Sequence, residues 1–401
     1  MGAFFSRERF GTPQIFAGIL LLIFIGECAW LVAHEYGAIG TAEDEFVRVE
    51  EGLGQWRGMG IAGTPSIKSP LEPSSANDLY DNNHSPLWYV IAAAPVAVFR
   101  VSPDGAAWVW LTRVPYILFG ALLGASLWYV SRRLYGNAGG FIALGLYCFS
   151  PAVIRGSALW AASPNGGGAW GTFGAVFTAI AVSHTLYAPR EVVLWNWRRI
   201  VLLGVSLALA IGSHFALVII LPVLLAFMLY VAAERKGPAL VIFVAACGVA
   251  FVLLFAAYFF HPAAFLSGLR HARFLNSTWR SATMSGAYLQ LLREIAETGP
   301  VLVLLVPAAL GVFIAWRRTR YFGNTAPLIV AVLFLLLRVL APHESGAVFI
   351  LSAVVFLFVF VAGIAADLLQ TKARELLAAV LVGLIAANAF WDLLALARVG
   401  R

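Results

Sequence analysis

Long apolar runs bounded by charges or by Pro/Gly clusters dominate this chain. They fall at about 14–33, 87–101, 106–131, 137–154, 167–186, 200–213, 215–233, 238–260, 299–316, 325–341, 346–366 and 376–398. A membrane-spanning helix needs ~20 predominantly apolar residues, so the series predicts an all-α polytopic membrane protein with about 11–12 transmembrane helices. Two polar stretches, 34–86 and 261–298, interrupt it. There is no repeat of fixed period and no low-complexity tract. Residues 1–401 therefore read as a single membrane domain with two sizeable loops.

Composition supports this reading. Of 401 residues, 61% are hydrophobic and only 12% charged, against roughly 45–50% and about 25% in a soluble domain. A cytosolic enzyme, a disordered chain and a disulfide-stapled secreted domain are all excluded. The formal charge of +7 points to arginines anchoring cytoplasmic loops and not to nucleic acid. Cys28, Cys148 and Cys247 each lie inside an apolar run, widely spaced, which suggests neither a disulfide framework nor a zinc site. Arg7 and Arg9 precede the first run in the manner of a signal peptide. That run, however, is long enough to span and lacks a small-residue cleavage site, so it reads as a retained first helix.

Orientation follows from the basic residues. Arg132/Arg133, Arg190 with Arg198/Arg199, Arg235/Lys236 and Arg317/Arg318/Arg320 gather in short loops, which places those loops in the cytoplasm. The 34–86 stretch carries nine acidic residues and three basic ones and belongs outside, with Asn165 and the 261–298 loop. Three apolar runs lie between 34–86 and Asn165, where an even number of crossings is required. Run 87–101 is the shortest and contains Pro95; counted as incomplete, it leaves eleven full spans. The alternative is that Arg132/Arg133 violate the charge rule.

Within the first outer loop, Phe46, Val49, Leu53 and Trp56 recur at spacings of 3, 4 and 3. They form one apolar stripe on a short amphipathic juxtamembrane helix. Asp44 stands three residues after Thr41, the geometry of a helix-capping box, so local pattern leaves both capping and chemistry open for it. Farther on, Asn82-Asn83-His84-Ser85-Pro86-Leu87-Trp88-Tyr89 reads on its own as a helix start with interfacial aromatic anchors.

Taken in order, these pieces acquire a further meaning. Asp44-Glu45 is followed by His84-x-Pro86-Leu87-Trp88-Tyr89. Leu111-Thr112-Arg113-Val114-Pro115 comes next, then Arg132-Arg133-Leu134-Tyr135-Gly136, and finally Ser150-Pro151 ahead of Pro164-Asn165. The ordered set, over roughly residues 10–230, resembles the GT-C superfamily of membrane glycosyltransferases, in its protein O-mannosyltransferase and aminoarabinose-transferase-like branch (glycosyltransferase family 39-like).

The resemblance implies an inverting transferase that moves a sugar from a polyprenyl-phosphate donor to an acceptor at the outer face. It implies a multi-pass protein, of a bacterial inner or plasma membrane, with its active site outside. The implied partners are a polyprenyl-phosphate-linked sugar, an acceptor that is a glycan, lipid or protein, and membrane lipid. By the same likeness Asp44 of the Asp44-Glu45 pair is the catalytic base, and His84 and Asn165 lie in the substrate site. A lone base suits this chemistry, because lipid phosphate is already a good anionic leaving group and needs no acid. Many relatives carry Pro-Asp where this chain has Pro164-Asn165. Either the chain works without that carboxylate or it has lost activity. No metal ligands are assigned and no cofactor is certain; a divalent cation stays open.

The second outer loop holds Arg270, His271, Arg273, Arg280 and Arg293 against Glu294 and Glu297, on the side where positive charge is disfavoured. Guanidinium groups bind phosphate bidentately, so Arg270, Arg273 and Arg280 are candidates for the donor phosphate, with Arg338 as a further one. The bland reading of these arginines is a solvated loop on anionic lipid. Glu27 and Arg113 are intramembrane charges of the kind that usually pair. His214 reads as a helix-break residue at the surface, and Asp392 has no evident partner. Gly166-Gly167-Gly168 lacks the context of a nucleotide-binding loop. Two other functions compete with transfer: a non-catalytic GT-C-like subunit, motivated by Asn165, and a transporter of a lipid-linked or anionic solute, motivated by Glu27, Arg113 and the outer arginines. A transporter would show two related halves, and no duplication is visible.

Overall fold

The computed structural model describes residues 11–35, 49–50, 52–56, 83–101, 106–158, 165–187, 197–274, 279–340 and 346–399. Asp44 and Glu45, and with them Thr41 and Phe46, lie outside the described residues. The helices are α1 (Thr12–Glu35), α2 (Leu87–Phe99), α3 (Ala106–Cys148), α4 (Pro151–Ala158), α5 (Asn165–Thr185), α6 (Trp197–Ser213), α7 (Ile220–Val231), α8 (Lys236–Ala256), α9 (Pro262–His271), α10 (Ser285–Thr298), α11 (Leu302–Ala315), α12 (Phe322–Leu340), α13 (Gly346–Leu368) and α14 (Arg374–Val399). Short 3₁₀ turns add Phe215–Ile219, Trp279–Thr283 and Arg317–Thr319. There is no strand among the described residues.

This is an integral, multi-pass, all-α membrane protein. Each of the twelve apolar runs is helical over most of its length. Six described helices are individually long and apolar enough to cross a bilayer: α1, α3, α8, α12, α13 and α14. The α10–α11 pair passes the same test together but bends by 107°. The remaining runs form shorter or less apolar helices.

The run pair 106–131 and 137–154 forms one 43-residue helix, α3. At ~1.5 Å per residue a straight helix of that length far exceeds the ~30 Å hydrocarbon core. The break comes at Gly136, whose φ of 76° and ψ of −173° leave helical space. Such a φ favours a residue without Cβ, and Arg132 Nε bridges the break to Asn137 Oδ1 at 2.7 Å.

The chain divides into two compact units, one comprising residues 1–37, 117–159 and 277–401, the other 38–116 and 160–276. In the first, α13 is the central element. It is apolar all round, and a helix of that kind belongs in an interior; its whole span is buried, including Phe349, Phe356, Phe358 and Phe360. Against it pack α12 and α11, with Phe334 stacked on Phe349 at 6.4 Å. By contrast α14 turns Leu376, Val382 and Phe390 outward, as a lipid-facing helix must. Helix α1 packs on α4 and α14. Glu27 of α1 and Asp392 of α14 are both buried, and among the described residues their carboxylates accept no hydrogen bond.

Basic residues close helix ends in both units. Arg320 donates from Nε to Phe313 O at 2.9 Å and from Nη2 to Ile314 O, satisfying terminal carbonyls of α11. In the second unit Arg235 donates to Leu186 O, just beyond α5. Cations stabilise helix C-termini in this way, which gives the short-loop arginines a local role besides topology. At the start of α12, burial and then the Asp367 carboxylate push the Tyr321 hydroxyl up to about 12, so it stays neutral at any physiological pH.

The second unit is built on α5, α6 and α8. Small residues set its closest crossing. A Cβ at Gly171 would collide with the main chain of Ser206 and Ala210, and one at Gly174 with the Ser206 side chain. Close approach through small residues is how helices associate where lipid removes the hydrophobic drive. Gly171→Leu should therefore force α5 and α6 apart and destabilise the protein by about 1–3 kcal/mol. Thermal unfolding in nanodiscs would show it, and an unchanged midpoint would contradict this packing.

Candidate functional site

The polar residues singled out in the sequence divide between the two units. In the second, residues 83–86 are strapped to the end of α6 by two main-chain bonds. Ser85 N donates to Gly212 O at 2.9 Å, and Phe215 N donates to Asn83 O at 2.8 Å. Helix α6 ends at Ser213, and the break comes at His214, which is extended and whose Nδ1 accepts from Ala216 N at 3.2 Å. The strap consequently sets His84 against His214, ring centroids 5.4 Å apart at 84°. Trp88 stands edge-on to His84, also at 5.4 Å, and Tyr116 Oη donates to Trp88 O at 3.0 Å.

This imidazole pair is buried: His84 is 6% exposed and His214 0%. The expectation of a surface position for His214 is corrected, because the 83–86 strap covers the helix break. Asn165 opens α5 in the same unit, half-buried, and the three glycines after it are buried.

Helical residues 52–56 dock on α2 in this unit. Val49 and Leu53 of the expected apolar stripe are buried. Gly52 lies so close to the Tyr89 carbonyl that a Cβ would not fit, and Trp56 Nε1 donates to Val90 O at 2.8 Å.

Arg270 lies in the last turn of α9 and Arg273 follows the helix; both side chains are exposed. Among the described residues neither guanidinium makes an ion pair or hydrogen bond. Arg280 is exposed too, but it belongs to the other unit. Arg338, also in that unit, is buried and already engaged. Its Nε meets Glu294 Oε2 at 2.8 Å and its Nη2 meets Oε1 at 2.5 Å, a two-point fork. Glu27 belongs to the first unit and Arg113 to the second; Arg113 donates from Nη1 to Val109 O at 3.2 Å, and among the described residues the Glu27 carboxylate accepts no hydrogen bond. The described residues contain no group of three His, Cys, Asp or Glu side chains able to hold a metal ion. All three cysteines are free.

The sequence reading missed the role of His214. Its signal was the polar break between two apolar runs, directly after a Gly-Ser pair.

The fold defined by these helices is that of the GT-C membrane glycosyltransferases. The Archaeoglobus fulgidus oligosaccharyltransferase, solved in complex with zinc and sulfate, superposes with a TM-score of 0.60 at 13% identity, over 95% of this chain and 53% of that one. The archaeal oligosaccharyltransferase AglB from the same organism, in complex with an inhibitory peptide and a dolichol-phosphate, gives 0.61 at 13% identity, over 96% and 56%. ArnT from Cupriavidus metallidurans in the apo state gives 0.53 at 14%, over 82% and 56%. This chain thus spans about half the length of these proteins. No family model matches it, and no curated protein does at the sequence level.

Proposed function

We propose that this protein is an inverting glycosyltransferase that takes a sugar from a polyprenyl-phosphate donor at the outer membrane face. The observation that carries the reading is the GT-C fold running through nearly the whole chain. The dolichol-phosphate bound by one such neighbour supports a lipid-linked donor. The ordered residues from Asp44 to Asn165 add to it.

In this reading Asp44 accepts the proton of the acceptor hydroxyl. The acceptor oxygen attacks the anomeric carbon from the face opposite the phosphate, and the carbon–oxygen bond to phosphate breaks. Its electron pair leaves with the polyprenyl phosphate, and a single displacement inverts the anomeric centre. Arg270 and Arg273 meet the developing phosphate charge. Among the described residues their guanidinium groups are uncommitted, whereas that of Arg338 is taken by Glu294. His84 and Asn165 belong to the sugar site, with the buried His214 packed behind His84, and no step as written runs through a metal. Asn165 favours a second reading, a GT-C-like subunit that binds the lipid without turning it over.

The test is binding of undecaprenyl phosphate to the full-length protein in nanodiscs. Arg270→Lys and Arg273→Lys keep the charge but lose the planar fork. Each should weaken binding by about 1–3 kcal/mol, roughly five- to 150-fold. Equal binding by both variants would move the phosphate to Arg280. A wild type that binds no polyprenyl phosphate would end the transferase reading.

A further inference from the structure

Helix α8 ends in an unusual way. Phe259 N donates to Ala256 O at 2.8 Å and Phe260 N to Phe255 O at 3.4 Å, the paired bonds of a Schellman cap. The residue closing such a cap adopts a left-handed conformation and is usually glycine. Here it is Phe259, with φ 48°, and Phe260 follows at φ 58°. A bulky residue in that region is a genuine outlier held against a steric cost. Glycine would close the cap with less strain, so the side chains are the reason to look here.

The two strained residues and the one before them point to different partners. Tyr258 lies edge-on to Phe265 of α9 at 5.4 Å. Its hydroxyl fills the space beside Gly268, where a Cβ would collide. Phe265 also meets Phe255 at 5.2 Å and Phe251 at 5.3 Å. Helix α9, which carries Arg270 in its last turn, is thereby fixed to the end of α8. Phe259 reaches the other way, edge-on to Trp56 at 5.9 Å. Trp56 closes helical residues 52–56 of the first outer loop and is tied to Val90 O. Phe260 is 58% exposed and stands edge-on to Phe255 at 5.4 Å.

We propose that Phe259 and Trp56 form an aromatic latch that locks the first outer loop to the second. Through it, helical residues 52–56 keep their register with Arg270 and Arg273. Both aromatic residues are positioning residues and touch no substrate. The strain at Phe259 is the cost of aiming its ring at Trp56. This inference deepens the transferase reading and rests on it for the meaning of the two loops, but the latch itself is a physical contact that is testable alone.

Hydrogen exchange of residues 49–56 in the full-length protein in nanodiscs tests it. Phe259→Gly relieves the left-handed strain and removes the ring; Phe260→Gly relieves the neighbouring strain and leaves the latch. Phe259→Gly should keep or raise the melting temperature yet speed exchange at 49–56 at least tenfold, and Trp56→Ala should speed it similarly. Phe260→Gly should leave it at the wild-type rate. A structural role alone would make exchange follow stability, whereas here the two move in opposite directions. Undecaprenyl phosphate should slow exchange at 49–56 in the wild type and lose that effect in Phe259→Gly, with its affinity kept within about threefold. Wild-type exchange in Phe259→Gly would overturn the latch. If the wild type binds no polyprenyl phosphate, the transferase reading falls, while the comparison of unliganded variants still decides the latch.

Discussion

Asp44→Asn should lower transfer by about 10²–10⁴-fold, the usual contribution of a positioned general base. The assay is release of polyprenyl phosphate from a polyprenyl-phosphate sugar by the full-length protein in nanodiscs. The substitution removes proton acceptance and little volume, so melting temperature and undecaprenyl phosphate binding should hold near wild type. Glu45→Gln should cost much less, because the resemblance assigns the base to Asp44. The competing role of Asp44 is helix capping with Thr41, and Thr41→Ala separates the two. Loss of an N-cap costs about 1 kcal/mol of stability and should leave transfer nearly intact. Near-normal release by Asp44→Asn would return that carboxylate to the cap. A wild type that binds the lipid but never releases phosphate would instead favour the non-catalytic subunit, with Asn165 as the residue that explains it.

Much of the fold was legible because helices across a membrane are written locally. Span length and the Tyr135-Gly136 break each need only a dozen neighbouring residues to be seen. The stripe Val49–Leu53–Trp56 was visible for the same reason: its spacing is a property of one helix. The site was less legible because its members are distant in sequence. His84 and His214 are set together by main-chain bonds from Ser85 and Phe215, and main-chain bonds leave no mark on residue identity. The polar loop 261–298 proved largely helical. The apolar positions Tyr288, Leu292 and Ile295 recur at helical spacing, but the charges around them read as solvated chain. At the end of α8 the usual signal was withheld altogether. A glycine at position 259 would have announced the cap, and a phenylalanine conceals it.

Arg338 marks the clearest division between what charge pattern suggests and what packing allows. As an arginine in the last turn of its span it is a natural phosphate ligand, yet its fork is closed on Glu294. The side chains are 7% and 23% exposed, and the pair ties α12 to α10 just before the α10–α11 bend. Removing one partner of a buried ion pair leaves the other charge uncompensated, which costs about 3–5 kcal/mol. Arg338→Met should therefore lower stability by roughly the smaller of those values, since Glu294 retains some contact with water. Glu294→Gln should cost less, because the amide oxygen still accepts one guanidinium bond. The double variant Arg338→Met/Glu294→Leu should recover most of the loss, as replacing a whole buried pair by apolar groups is often neutral or better. Melting temperatures of the three variants in nanodiscs, with undecaprenyl phosphate affinity measured alongside, separate the roles. A structural pair predicts stability that falls and then recovers while affinity stays within a few-fold of wild type. A phosphate ligand predicts the reverse: lipid binding lost in Arg338→Met and not restored by the second substitution.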